Sequence, residues 1–246
     1  MLKKAWVMAR TEIRMVFKSR QVKSIPVMVI IFSVMFSVFM AWFTIAMPAL
    51  PDPFLYRLMM ASTMGLVVVM MPVILPVMIA ADSIVGEKER HTLVPLLATP
   101  LTDSELLLGK YLTAIVPGLV VAYANFVLAI GIMNGMFLFM APFLLWVWPT
   151  LLDVVQALIM PPLFSALAVG FTVIISGRVS TVYEAYQIST LIVLPAMLVP
   201  YIGLLQGSGF DWLILSLVAV ILGIADYAVF RLSLNLFSRD RLISRF

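Results

Sequence analysis

Polar and apolar positions in this chain alternate on the length scale of a bilayer. A helix crossing the hydrocarbon layer needs about 20 apolar residues. Runs of that kind fall at 25–47, 59–81, 111–133, 150–175, 188–205 and 212–234. Each is expected to be a helix, because a lone segment in lipid must satisfy its own backbone N–H and C=O groups. Pro48, Pro51 and Pro53 end the first run sharply, and Pro72 and Pro76 lie inside the second. From 111 to 175 the only charge is Asp153. That region suits two helices with an apolar connector at 134–149, whose Trp146 and Trp148 suggest an outer interfacial or re-entrant piece, since aromatic side chains gather at membrane boundaries. A polar loop at 176–187 and a turn at 206–211 bracket the fifth span.

Ahead of the spans, residues 1–23 follow a different rhythm. Leu2, Trp6, Ala9, Ile13 and Phe17 recur every three or four positions among Lys3, Lys4, Arg10, Arg14, Lys18, Arg20 and Lys23. This spacing predicts one apolar face of a helix, and a basic helix bearing Trp and Phe lies in the membrane interface. It serves either as a charged anchor or as a grip for a partner. The charged stretch is too long and the following run too extended for a cleavable leader.

Composition agrees with the pattern. Apolar residues make up 63% of the 246 and charged residues 11%, against about 25% charged in soluble domains. The expected class is an all-α integral membrane protein with six transmembrane helices, an N-terminal amphipathic interfacial helix and a cytoplasmic coupling helix. With a cytoplasmic N-terminus, every Lys and Arg except Arg57 falls on or at the edge of the cytoplasmic side, as the positive-inside rule requires. Both termini and the interval 82–110 then face the cytoplasm of a multi-pass protein in the cell membrane. The net charge of +4 follows this topology and gives no reason to expect nucleic acid as a partner. Cysteine is absent, which removes disulfides and thiolate metal sites.

The interval 82–110 is the longest polar stretch between two spans, with Glu87, Lys88, Glu89 and Arg90 side by side. A helix capped by Asp82 or Ser83 is expected to start near Ile84, with Val85, Leu93, Leu96 and Leu97 on its oily side and the four charges in water. Pro95 and Thr99-Pro100 interrupt it. Thr102-x-x-Glu105 has the form of a capping box and starts the next helix. Such a platform suits docking by a soluble partner that lies outside this polypeptide.

Chemistry within the chain is sparse. No Gly-x-x-x-x-Gly-Lys-[Ser/Thr] loop occurs, so the backbone cradle for nucleotide phosphates is missing. His91 is the only histidine, and a metal there would have Glu87 and Glu89 alone beside it. Gly207-Ser208-Gly209 reads as an outer turn rather than a nucleophile, with no base on its side of the membrane. Asp153 and Asp226 stand within spans, where ionisable groups are costly. Asp153 is placed to cap a helix start. Asp226 lies deeper, and Arg231 five residues on is not its helical neighbour; a structural lock and a proton or substrate contact are both open to it.

The polar interval also resembles a known family. Glu87, Lys88, Glu89, Arg90, Thr92, Leu93, Leu96, Leu97, Thr99, Pro100, Leu101 and Thr102, then Gly109 and Lys110 at the next helix, are similar to the permease subunits of type-2 ABC exporters, closest in flavour to the sodium-efflux and antibiotic-export branch. His91 stands where that family usually has glycine, and Val94 where it often has glutamate. The resemblance implies two permease copies, identical or not, joined to two ATPase subunits that carry the ATP and magnesium, with no cofactor in this chain. It also implies that the segment after the second span is a coupling helix seated in a cleft on the ATPase. Glu87 and Glu89 would make charge-assisted contacts to basic groups there, with Lys88, Arg90, Thr92 and Leu93 beside them. The rival expectation is a proton-coupled carrier using Asp226 and Asp153.

Overall fold

The computed structural model describes residues 2–16, 20–46, 74–90, 102–140, 149–198 and 212–236. Among them are seven helices and no strand: α1 (Leu2–Val16), α2 (Arg20–Ala46), α3 (residues 74–89), α4 (Asp103–Met140), α5 (Leu151–Ser176), α6 (Val182–Leu198) and α7 (Trp212–Leu236). The helices over Asp103–Met136, Leu151–Ser176 and Trp212–Leu236 are long and apolar enough to cross a membrane. The described residues outside loops are thus all helical, and three of the helices have the length and apolarity of membrane spans. The proline break at 48–53, the first part of the second expected span, the far end of the apolar connector and the turn at 206–211 lie outside the described residues.

Helix α3 is central because its first half, residues 74–81, is apolar on every side and mostly buried, as expected of a helix segment with no polar stripe. Leu75, Ile79 and Ile84 join Leu107, Tyr111 and Val121 of α4 and Val169 of α5 in one cluster. Val77 enters a second cluster with Phe164 of α5, Val193 of α6 and Leu222 of α7. Ala81 and Val85 enter a third with Val179 and Ala185. Each buried Leu, Ile or Phe in these clusters contributes about 1.5–3 kcal/mol relative to an exposed one wherever water is the reference.

Helices α4 and α5 run antiparallel, as two contacts fix: Tyr111 meets Gly170, and Tyr123 Oη donates to Leu158 O at 3.3 Å. Gly170 allows the close approach. A Cβ there would collide with Val229 of α7 and stand 2.8 Å from Tyr111 Oη. Tyr111 Oη donates to Ser233 Oγ at 3.4 Å, and the Tyr111 ring meets Phe230 edge-on at 5.4 Å. Three helices therefore close around one glycine.

Several boundaries differ from the sequence expectation. The basic segment 1–23 is divided, since α1 ends at Val16 and α2 already begins at Arg20, with Pro26 in the second turn of α2, where it can give no N–H to the helix ladder. Helix α4 continues to Met140, through the start of the expected connector, where Asn134 turns its amide back onto Ile130 O at 3.0 Å and the ladder runs on. Helix α6 starts at Val182, inside the expected polar loop. No helix starts near Ile84, since α3 runs unbroken from 74 to 89 with Asp82 and Ser83 in its interior. Their side chains are drawn into longer-range bonds and leave the α3 backbone to its own ladder.

The buried face of α1 also differs from the expected stripe. Ala5, Ala9 and Glu12 face inward, whereas Trp6 is 48% exposed. Small side chains win this face because α1 packs against Gly109 of α4, where an added Cβ would sit 2.8 Å from Met8 Sδ and 3.4 Å from Ala5 O. Trp6 is too large for that seam.

Candidate functional site

Helix α4 begins with the reciprocal cap its sequence foretells. Thr102 N donates to Glu105 Oε2 at 3.1 Å, and Glu105 N donates to Thr102 Oγ1 at 3.3 Å. Two turns on, Gly109 admits α1 and Lys110 enters the space between α1 and α3. No part of the Lys110 side chain reaches solvent. Its Nζ donates to Ser83 O at 2.6 Å, Ser83 Oγ at 3.1 Å and Glu87 Oε2 at 2.7 Å. An ammonium has three hydrogens, and all three have acceptors on α3.

Glu12 of α1 completes the cluster. Its Oε1 lies 3.7 Å from Lys110 Nζ, and its Oε2 accepts from Ser83 Oγ at 3.2 Å. Thr113 Oγ1 stands 3.1 Å from Glu12 Oε2 and 2.9 Å from Gly109 O. One cation, two carboxylates and two hydroxyls thus join α1, α3 and α4. Burial pushes the Glu87 carboxyl above its ordinary range, while Lys110 pulls it back and Glu12 adds to the rise. A buried ion cluster of this kind is weak evidence of net stability but strongly resists losing one member.

The last turn of α3 is fastened a second time. Lys88 Nζ donates to Val179 O at 3.0 Å, and Glu89 Oε1 accepts from Val182 N at 2.9 Å. A carboxylate from α3 therefore satisfies one of the free N–H groups that open α6. Thr181 and Glu184 hold the same turn: Glu184 N donates to Thr181 Oγ1 at 3.2 Å and Ser180 N to Glu184 Oε2 at 3.1 Å. The Ser180 N–H holds the exposed Glu184 carboxyl below its usual value. Arg90, whose side chain is 62% exposed, pairs with Asp82 two turns back.

The four charges of the platform thus do not share one wet face. Glu87 turns inward to Lys110, and Lys88 and Glu89 reach the 179–182 turn. Arg90 projects outward. Helical spacing separates them by about 100° per residue, so four consecutive charges cannot face one way. Thr92, Leu93 and His91 lie outside the described residues, as does Gly207-Ser208-Gly209.

Asp153 caps α5 with Thr150. Thr150 N donates to Asp153 Oδ2 at 2.8 Å and Asp153 N to Thr150 Oγ1 at 3.4 Å. Asp226 is not brought near Asp153 by any described bond. Its Oδ1 is buried with no hydrogen-bond partner among the described residues, and Arg231 turns to Tyr227 instead, with Nε 3.0 Å from Tyr227 Oη. Described residues contain no group of three or more metal-ligating acids or histidines.

Glu12 and Thr113 are the members that sequence reasoning passes over, and Ser83 enters it only as a candidate helix cap. Glu12 nevertheless leaves a signal, being the sole carboxylate before Asp52 and set in a basic helix. Compared with known proteins, the chain matches no family model and no curated sequence.

Proposed function

We propose that this chain is the membrane-spanning permease subunit of an ATP-driven type-2 ABC exporter. In this reading six spans, with both termini cytoplasmic, form half of the translocation path. A second permease copy forms the other half, and separate ATPase subunits bind and hydrolyse ATP. The observation that carries the reading is the triple fastening of one helix end: α3 is tied to α1 through Glu12, to α4 through Lys110, and to the start of α6 through Lys88 and Glu89. A push on the end of α3 at Arg90 would reach three other helices through these bonds. The distribution of Lys and Arg supports the orientation, and the pattern from Glu87 to Lys110 supports the family.

This arrangement changes the roles given to the charges. Glu87 serves the internal cluster, so contact with the ATPase falls to Arg90, Thr92 and Leu93. The test is co-purification of the chain with the ATPase encoded beside it. Leu93→Arg should release the ATPase while intrinsic tryptophan fluorescence and elution volume stay unchanged. Retention of the ATPase by that variant, or failure of the parent chain to bind one, refutes the docking role.

One observation favours a second reading, a proton-coupled carrier: the buried, unpartnered Asp226 Oδ1. Asp153 does not support it, because its carboxylate is engaged in the α5 cap. Transport in proteoliposomes that follows a pH gradient, needs no ATPase and is lost in Asp226→Asn would establish this alternative.

A further inference from the structure

Helix α1 separates its charges by side. It carries Lys3, Lys4, Arg10 and Arg14 and a single acid, Glu12. Glu12 is buried against Ser83, Thr113 and Lys110. Arg10 and Arg14 are exposed on the opposite side, around Val7, which is 65% exposed. Exposed Trp6 lies on the flank between the two sides. The one carboxylate that could neutralise the arginines is thus spent internally, and the outward face is cationic with an aromatic edge.

That face belongs to a helix seated at the end of α4, whose apolar span is long enough to cross the bilayer. A cationic surface at that level, with a Trp beside it, complements negatively charged headgroups. We infer that the outward face of α1 is a docking surface for anionic phospholipid headgroups, held by Arg10 and Arg14 and seated by Trp6. The inference rests on the membrane character of the helices and stands apart from the permease reading. It gives α1 two attachments of different kinds: a buried, salt-insensitive one through Glu12 and a salt-sensitive one to lipid.

The chain has no cysteine, so Val7→Cys provides a unique site for a nitroxide on the full-length protein. The labelled chain is placed in nanodiscs of phosphatidylcholine alone or of phosphatidylcholine with phosphatidylglycerol. Collisions between the nitroxide and a neutral, water-soluble nickel chelate are then measured. Phosphatidylglycerol should lower the collision rate several-fold, and high salt should restore it. Each basic residue near an anionic surface strengthens docking about fivefold, so Arg10→Gln with Arg14→Gln should erase the difference. Arg10→Lys with Arg14→Lys should keep it, which separates charge from helix packing. Equal collision rates in the two bilayers overturn the proposal. So does protection that appears only when the ATPase is added in phosphatidylcholine, which would make the face a protein dock.

Discussion

Lys110 Nζ lies 2.7 Å from Glu87 Oε2 across the α3–α4 junction, and the lysine side chain is wholly shielded from solvent. An ammonium this deep is tolerated only because every hydrogen has an acceptor and two carboxylates stand near. Removing the lysine leaves Glu87 and Glu12 facing one another without a cation.

Lys110→Met should therefore cost about 3–5 kcal/mol, the usual penalty for breaking a buried pair from one side. Adding Glu87→Gln should recover part of that loss, because the stranded charge is then removed. Unfolding titrations of the two single variants and the double variant measure the coupling directly. Additive losses would show that the pair does not interact.

The pH dependence carries two opposite signatures. Burial raises Glu87 above its ordinary 4.5, so the folded protein holds that proton more tightly than the unfolded chain does. Its contribution to stability is greatest below pH 4.5 and declines as pH rises through the folded pKa. The N–H of Ser180 lowers Glu184 below 4.5, so its contribution is full above pH 4.5 and is lost as pH falls through the folded pKa. Comparing the parent with Glu87→Gln and with Glu184→Gln across this range should give differences that trend in opposite directions.

Glu89 tests the bridge from α3 to α6. In Glu89→Ala the Val182 N–H loses its carboxylate and opens to water. Amide exchange at Val182 should quicken several-fold while exchange in the middle of α5 is unchanged. Unaltered exchange at Val182 would mean that Thr181 and Glu184 hold the turn without help.

Gly170 tests the packing of three helices. Gly170→Ala places a methyl group against Val229 and Tyr111 Oη and should cost about 1–3 kcal/mol, as overpacking does. Val229→Ala in the same chain should relieve much of this by clearing the nearest atoms. A Gly170→Ala variant as stable as the parent would show that α5 and α7 can part without loss.

What the sequence discloses about this molecule is governed by range. The long apolar runs place α5 and α7 to within two residues at both ends, and Thr102-x-x-Glu105 marks the start of α4, because both signals are local, whereas α4 outlasts its expected span of 111–133 by seven residues. Thr181-x-x-Glu184 has the same form, yet it lies among Gly177, Ser180 and other polar residues that read as a loop. The continuity of α3 through Asp82 and Ser83 depends on where those side chains bond, and the partners of Ser83 are Glu12 of α1 and Lys110 of α4. Lys110, Glu87 and Glu12 come from three helices, so no window of sequence contains their geometry. The apolar stripe of α1 misleads for a related reason. Periodicity finds oily positions, but the size of the seam at Gly109 selects Ala5 and Ala9 over Trp6.

The order of residues in the ion cluster bears on how the chain is made. Glu12, Ser83 and Glu87 all precede Lys110, and synthesis runs from the N-terminus. When Lys110 leaves the ribosome, every acceptor that its ammonium will use has already been made, so the cation need not wait for a partner. Glu12 and Glu87 are the groups that wait, and Glu12 does so the longer, on a helix whose exposed arginines Arg10 and Arg14 lie on the other side. The cation is thus the member that joins carboxylates made long before it, and α1, α3 and α4 share this ion cluster only once Lys110 has been made.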